Sequence, residues 1–342
     1  MNTSQRYGIA IFHGIGDILN CTPIAKQLKL KEPECHITWY TASKYRFIVE
    51  NNPFIDEIIT LDGDVLELDK EMSRLSKVQN WTRFFTPAPY MNYDVLPGGS
   101  LLDLIKTAAR LEWTFPFIPI FSLSDSEVKQ ARDYWNALPE GKKILVETEF
   151  YSEQSHWKDD YAFEMLAELR QIDPVFIFTA KNKPPFFDEF HQKYPKSVWC
   201  AEPFRLNAEF FNLSDAFIGV SSGISCVTFS DYCRTDVPRI EVSRGEHWSA
   251  TGYPHLSELY ICYNRKRFQE SLRSLAVRLS NSKAQLDFSP RFKTMSALPN
   301  GKERVVCLSC GSRQAIAVRG DDIVRCNDCG FHYLRDRMTT KE

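Results

Sequence analysis

What the sequence lacks narrows the field first. It has no excess of charge: 42 basic residues against 44 acidic ones give a formal charge of -2, so the electrostatic footprint of a nucleic-acid binder is missing. No apolar run approaches the roughly twenty residues of a membrane span. The first residues, Met-Asn-Thr-Ser-Gln-Arg, run straight into a strand-like stretch with no leader pattern. The expectation is a cytoplasmic protein with no nucleic-acid partner and no membrane span, peripheral membrane contact being left open. Low-complexity tracts and short repeats are absent too. So is a complete dinucleotide fingerprint. Gly14 and Gly16 are followed by Leu19 where a third small residue is required, and the next strand-like run, 37–41, leads into Ala42-Ser43 without the acid that would hold a ribose. That argues against a nicotinamide oxidoreductase.

What is there begins with Tyr7-Gly-Ile-Ala-Ile-Phe-His-Gly-Ile-Gly-Asp17-Ile-Leu-Asn-Cys-Thr-Pro23. An apolar run that stops at a glycine pair, with an acid straight after and a helical pattern following, predicts a buried parallel strand, a tight turn and a helix. Open α/β sheets bind ligands at the carboxyl ends of their strands, which makes Asp17 a candidate general base. The structural alternative is a helix N-cap, where aspartate is favoured in any protein. Pro23 implies that the helix restarts at Thr22 or bends there.

Strands over 37–41 and 57–61, with a helical segment over 45–50 between them, continue a doubly wound α/β pattern. Residues 62–121 give a poorer signal, rich in prolines and aromatics. Trp81, Phe84, Phe85, Tyr90 and Tyr93 read first as core and second as an acceptor pocket. A helix over 124–138 leads to a second α/β series. Its strands fall at 143–148, 175–179, 197–200, 216–220, 239–242 and 259–263, its helices at 160–172, 185–194, 207–213 and 267–280. With 342 residues the chain accommodates two domains and an appendage. The predicted organisation is an N-terminal Rossmann-like domain over 1–122, a connecting segment over 123–142, a second Rossmann-like domain over 143–282, a linker over 283–300 and a ribbon over 301–336. Two such units in tandem imply a cleft between them.

In the second half, Ser221-Ser222-Gly223 at a strand end resembles a phosphate-binding turn. Glycine permits close backbone approach, while hydroxyls, amides and the helix dipole favour an anion. Serine and glycine also start many helices merely as caps. Lys158, in His156-Trp157-Lys158, is a candidate to offset charge on a leaving phosphate, or a solvated surface lysine. His247 and His255 show no interpretable spacing. Six of the ten cysteines stand singly and read as small buried apolar residues. The other four form two Cys-x-x-Cys-Gly turns, Cys307/Cys310 and Cys326/Cys329, with fifteen residues between the inner pair. Four thiolates with no open position predict a structural metal site, zinc or iron, since a reducing cytosol disfavours disulfides. Its mixed charge and few aromatics suggest folding or assembly, including a homo-oligomer built through the ribbon, in preference to nucleic-acid binding.

These residues resemble a known family. His13-Gly-Ile-Gly-Asp17-Ile-Leu-Asn-Cys-Thr22-Pro23, Pro33-Glu-Cys-His-Ile-Thr-Trp39, Asn52-Pro-Phe-Ile-Asp-Glu-Ile-Ile59, His156-Trp157-Lys158 and Asp215-Ala-Phe-Ile-Gly-Val-Ser-Ser-Gly-Ile-Ser225 resemble the ADP-heptose heptosyltransferases, glycosyltransferase family 9, over roughly residues 5–280. The resemblance implies a GT-B fold and metal-independent inverting transfer from a nucleotide sugar, ADP-heptose or a relative, to a glycan or protein acceptor. Carried over, Asp17 is the base, Lys158 steadies the diphosphate, and Gly16, Ser221, Ser222 and Gly223 surround the donor. Many members have an acid where this chain has Ser221. The four-cysteine finger resembles the iron finger of the autotransporter heptosyltransferases, which modify adhesin serines and form rings. That subgroup keeps serine at this place, but it has an N-terminal β-rich extension that is not seen here. The sequence is compatible with transfer to a surface glycan, with transfer to an adhesin, and with a non-catalytic sugar-nucleotide or partner-binding protein.

Overall fold

The computed structural model describes residues 5–78, 80–87, 101–150, 157–243, 259–262, 264–280, 315–319, 323–326 and 332–334. The chain forms two compact units, Met1–Ala284 and Gln285–Glu342.

The first unit opens with β1 (Arg6–Ala10), α1 (Ile15–Cys21), α2 (Pro23–Lys31), β2 (His36–Ala42), β3 (Glu57–Leu61), α3 (Val65–Val78), β4 (Arg83–Phe85) and α4 (Leu101–Ala109). The strands form a parallel sheet in the order β3-β2-β1-β4. β1 and β2 are buried almost throughout, which is why they read as continuous apolar runs without alternation. At Thr22 the chain ends one helix and starts the next. Pro23 takes the first position of α2, where its missing N–H is no loss. The Thr22 hydroxyl donates to the Leu19 carbonyl at 2.6 Å and accepts the Ile120 amide at 2.7 Å, tying the bend to the connecting segment. The segment expected as a helix over 45–50 is a 3-10 turn, Ser43–Ile48. β4 and α4 lie within the stretch whose prolines and aromatics obscured any period. Phe85 is core there, and Trp81 packs on Tyr40 and Phe84.

Helix α5 (Asp125–Asn136) starts with a capping box, in which Ser124 and Glu127 satisfy each other's backbone N–H. There follow β5 (Lys143–Glu147), α6 (Asp159–Leu169), β6 (Val175–Thr179), α7 (Phe187–Lys193), β7 (Ser197–Cys200), α8 (Asn207–Leu213), β8 (Ala216–Val220), α9 (Gly223–Thr228), β9 (Arg239–Val242), β10 (Leu259–Cys262) and α10 (Arg265–Ser280). These six strands are also parallel, in the order β10-β9-β8-β5-β6-β7. Both sheets are therefore Rossmann-like, and each reverses its strand order beside its first strand, between β1 and β4 and between β5 and β8.

The two halves share one hydrophobic core. A single cluster runs from Ile9, Trp39 and Phe85 through Trp135 to Leu145, Phe210, Phe217 and Val227. A second knot is polar. The buried Arg205, just before α8, donates through Nη2 to Glu127 Oε2 at 3.1 Å, through Nε to the same carboxylate, and to the carbonyls of Phe47 and Ser122. One side chain thereby joins the first half, the connecting segment and the second half. The six cysteines of this unit are free and buried, as small apolar residues would be. Among the described residues no helix is long and apolar enough to cross a membrane.

In the second unit, β11 (Ala315–Arg319), β12 (Ile323–Cys326) and β13 (His332–Leu334) form an antiparallel sheet. Cys307, Cys310 and Cys329 lie outside the described residues, and so do the linker over 283–300, His156, His247, His255, Tyr90 and Tyr93. Cys326 ends β12, its backbone paired with Ala315.

Candidate active site

Asp17 is the third residue of α1, not its cap. The cap position belongs to Gly14, whose φ of 75° is one that L side chains rarely adopt. A Cβ there would stand 2.7 Å from Asp17 Oδ2, so the carboxylate would have to swing aside. The carboxylate folds back over the turn and neither caps the helix nor makes any other hydrogen bond or ion pair among the described residues. It keeps some exposed surface while protein surrounds it on nearly every side, and this burial pushes the carboxyl up to about 7. A carboxyl that is reachable, desolvated and without a hydrogen bond among the described residues near neutral pH has the makings of a general base.

Ser222 caps α9, its Oγ accepting the amides of Ile224 at 3.1 Å and Ser225 at 3.2 Å. The same hydroxyl bonds the carboxylate of Glu147, the last residue of β5. Both lie where β5 and β8 part, at the switch point of the second sheet, the place where ligands of such sheets bind. Burial raises the Glu147 carboxyl well above its ordinary range; Glu149 and Glu241 add to this, and the Ser222 bond opposes it. Ser221, next to it, donates its amide to Val242 O at 3.3 Å.

The two turns are in contact. A Cβ on Gly223 would stand 2.6 Å from Ile15 Cγ2, and one on Gly16 would stand 3.0 Å from Cys226 Sγ. Asn20 Nδ2 lies 3.9 Å from the same sulfur. The glycines that suggested close approach to a ligand thus also serve close approach of α1 to α9, and where a cleft was expected the starts of the two helices touch. Lys158 is exposed and precedes α6; its ammonium has no ion pair among the described residues. Beside the carboxyl ends of β5 and β6 there is a cleft of about 270 Å³, lined among others by Glu149, Phe150, Trp157, Asn182 and Phe186. Glu149 accepts from the Lys181 amide at 2.9 Å and from Asn182 Nδ2 at 3.3 Å. Among the described residues no group of three or more His, Cys, Asp or Glu is placed to hold a metal ion.

No family model and no curated protein matches the chain. Solved structures do. The glycosyl transferase family 9 structure from Veillonella parvula superposes with a TM-score of 0.59 at 15% identity, over 82% of this chain and 98% of that one. This chain has the fold of glycosyltransferase family 9. The ADP-heptose LPS heptosyltransferase II of E. coli gives 0.52 at 11% identity, covering 81% of this chain and 100% of its own. E. coli heptosyltransferase WaaC, solved with ADP, gives 0.51 at 11%, covering 80% and 98%. At such identities the likeness is one of fold, the GT-B-like pair of parallel sheets. Sequence reasoning missed Glu147 and Arg205. An acid closing the apolar run Ile144-Leu145-Val146 was a visible signal for the first; nothing local signals the second.

Proposed function

We propose that this chain is an inverting glycosyltransferase that moves a heptose or related sugar from an ADP-activated donor to a hydroxyl of a surface glycan or protein. The observation that carries the reading is Asp17: a desolvated carboxyl with no hydrogen bond among the described residues, at the switch point of the first sheet, next to the first turn of α9, in a chain with the fold of family 9. As the acceptor oxygen bonds to the anomeric carbon, the bond from that carbon to the diphosphate oxygen breaks on the opposite face. The configuration inverts, ADP leaves with the electron pair, and the acceptor proton passes to Asp17. Only the ionised carboxylate can take that proton, so the rate climbs as pH rises through about 7.

In this reading the Ser221–Gly223 backbone and Gly16 border the diphosphate, with Lys158 supplying positive charge. The hydroxyl of Ser222 is already engaged in capping α9, so its part is to shape the turn. The aromatic walls of the cleft beside β5 and β6 suit the flat base of the donor. Cys307, Cys310, Cys326 and Cys329 hold a structural zinc or iron, a reading that rests on their spacing alone. The same ribbon serves folding or assembly of copies of the chain, in the cytoplasm.

A donor panel tests this. ADP-heptose, UDP-, GDP- and CDP-sugars are compared by thermal shift and slow hydrolysis on the wild type and on Asp17→Ala. Selective stabilisation of both proteins by the ADP-sugar, with hydrolysis lost in the variant, is expected. No shift with any nucleotide sugar would remove the transferase reading, and retained turnover in Asp17→Ala would remove the base. An ADP-sugar that binds without turnover in either protein would favour a non-catalytic binder.

A further inference from the structure

Glu147 is only 3% exposed and has no part in the chemistry above. It belongs to a polar row at the carboxyl end of the second sheet. It pairs with Thr179 on one side, and beyond β8 on the other side Glu241 pairs with Gly219. Its geometry is unusually constrained. A hydroxyl has two acceptor lone pairs and one proton. The lone pairs of Ser222 Oγ take the amides of Ile224 and Ser225, so its proton goes to Glu147. The hydroxyl is held at three points, and Gly223, the next residue, is held with it. Gly223 rests on Ile15, and Cys226, one turn along, rests on Gly16. Ile15 and Gly16 are the two residues before Asp17.

We propose that Glu147 is a positioning residue for the Asp17 site, acting through Ser222 to hold the first turn of α9 against the first turn of α1 and so keep water from the Asp17 carboxyl. The functional meaning rests on the reading of Asp17 as a base, but the effect on Asp17 is a physical one and can be read directly. With Glu147 truncated, the Ser222 proton has no acceptor there. The hydroxyl turns toward another acceptor, releases an amide of α9, and the Gly223–Ile15 contact loosens. Water then reaches Asp17, and its proton affinity falls.

Among the described residues, the titratable and charged groups on the elements around Asp17 include the half-buried His13, in the turn before α1. From α9 Asp17 meets Cys226, behind which lie Glu147 and Glu241, and from its own helix Cys21. Both thiols are held neutral by burial. On the 3-10 turn packed on α1, Arg46 pairs with Glu50 and Lys44 lies over the Tyr45 ring; on α4, Lys106 lies over Phe117.

The test is a carbon-13 NMR titration of the full chain labelled at aspartate carboxyls, with the Asp17 signal assigned by Asp17→Asn. In the wild type Asp17 should titrate near 7. Glu147→Ala should lower that midpoint by about one pH unit or more as the carboxyl hydrates. Ser222→Ala should lower it as far, and the double variant no further. Glu147→Gln, whose amide oxygen can still accept the Ser222 proton, should keep the wild-type midpoint. An unchanged midpoint in folded Glu147→Ala or in Ser222→Ala overturns the proposal, as does an ordinary midpoint in the wild type. A fall in Glu147→Gln equal to that in Glu147→Ala overturns it as well, because charge and not position would then be the cause. Should Glu147→Ala fail to fold, Ser222→Ala and Glu147→Gln still decide. Transfer assayed in Asp17→Asn bears on the base alone: full activity there would sink the transferase mechanism and leave the titration result standing.

Discussion

Asp17 and Glu147 each lie on the carboxyl side of the strand beside which its sheet reverses order, Glu147 as the last residue of β5 and Asp17 in the first turn of the helix after β1. Both carboxyls are pushed up by burial. They differ in what they touch. Glu147 holds Ser222 and is closed off, whereas Asp17 has no hydrogen bond among the described residues and keeps some exposed surface. The lesson is that desolvation alone does not mark a reactive acid. A carboxyl bound to a capping hydroxyl serves architecture, and one left unbonded at a reachable place is available for a proton that arrives with a ligand.

Breaking the pair at Asp17 has the largest expected effect. Asp17→Asn should lower transfer by roughly 10²- to 10⁴-fold, the usual worth of a positioned base, measured as kcat/KM at saturating donor. The same variant should change how stability depends on pH. The folded Asp17 holds its proton up to about 7, whereas the unfolded chain releases it near the ordinary value of about 3.9. Between those values the folded state binds more protons, so the contribution of Asp17 to stability is fully present below pH about 4 and is lost as pH rises through about 7. Asp17→Asn should therefore gain on the wild type toward pH 8, by a few kcal/mol at most, with the difference shrinking toward pH 4. Melting temperatures across that window check the sign.

Arg205 sharpens the comparison from outside it, because it joins the two halves without touching either turn. Arg205→Met leaves Glu127 without its buried partner and three backbone segments unlinked, a loss of about 3–5 kcal/mol in urea unfolding. The Asp17 titration of whatever remains folded should be unaltered. A lowered Asp17 midpoint would show that the positioning of α1 depends on the whole contact between the halves and not on the Glu147 turn.

Much of this architecture was legible beforehand for a physical reason. Parallel strands buried on both faces read as unbroken apolar runs, as 216–220 does, and the less buried strands 57–61 and 197–200 and the helix 207–213 also fall where their apolar residues and turn residues put them. The site was legible only as turns. Nothing in Gly14-Ile-Gly-Asp17 tells a cap from a third helical residue, since both place an acid at a helix start; Gly14 at φ 75° decides it. The link from Glu147 to Ser222 spans 75 residues and that from Arg205 to Glu127 spans 78, and a single sequence carries no trace of such pairings. The stretch 62–121 was opaque because β4 is only three residues long and its aromatics serve core and surface alike.

Gly223→Ala tests the contact between the turns from the side of space. The new Cβ would stand 2.6 Å from Ile15 Cγ2, so α1 and α9 must separate slightly. Overpacking of this kind costs about 1–3 kcal/mol. Pairing it with Ile15→Ala removes the Cγ2 contact but leaves the Cβ of residue 15 at 2.8 Å, so it should restore the melting temperature only in part. If Gly223→Ala alone were neutral, the helix starts would not be in firm contact, and the burial of Asp17 would need another source.

The smallest effect expected is that of Ser222→Ala, and it separates the two carboxyls most cleanly. Loss of an N-cap hydroxyl costs about 1 kcal/mol, here by freeing the amides of Ile224 and Ser225. Glu147 loses its only hydrogen-bond donor among the described residues. Because that bond is what opposes the upward push of burial on Glu147, its removal drives the Glu147 proton affinity higher, while Asp17, hydrated as the turn loosens, should move lower. Two acids that titrate in opposite directions after one hydroxyl is deleted would establish that the serine divides their roles. Parallel movement would mean that both carboxyls sense a common field, and the contrast between a structural and a reactive acid would lose its basis.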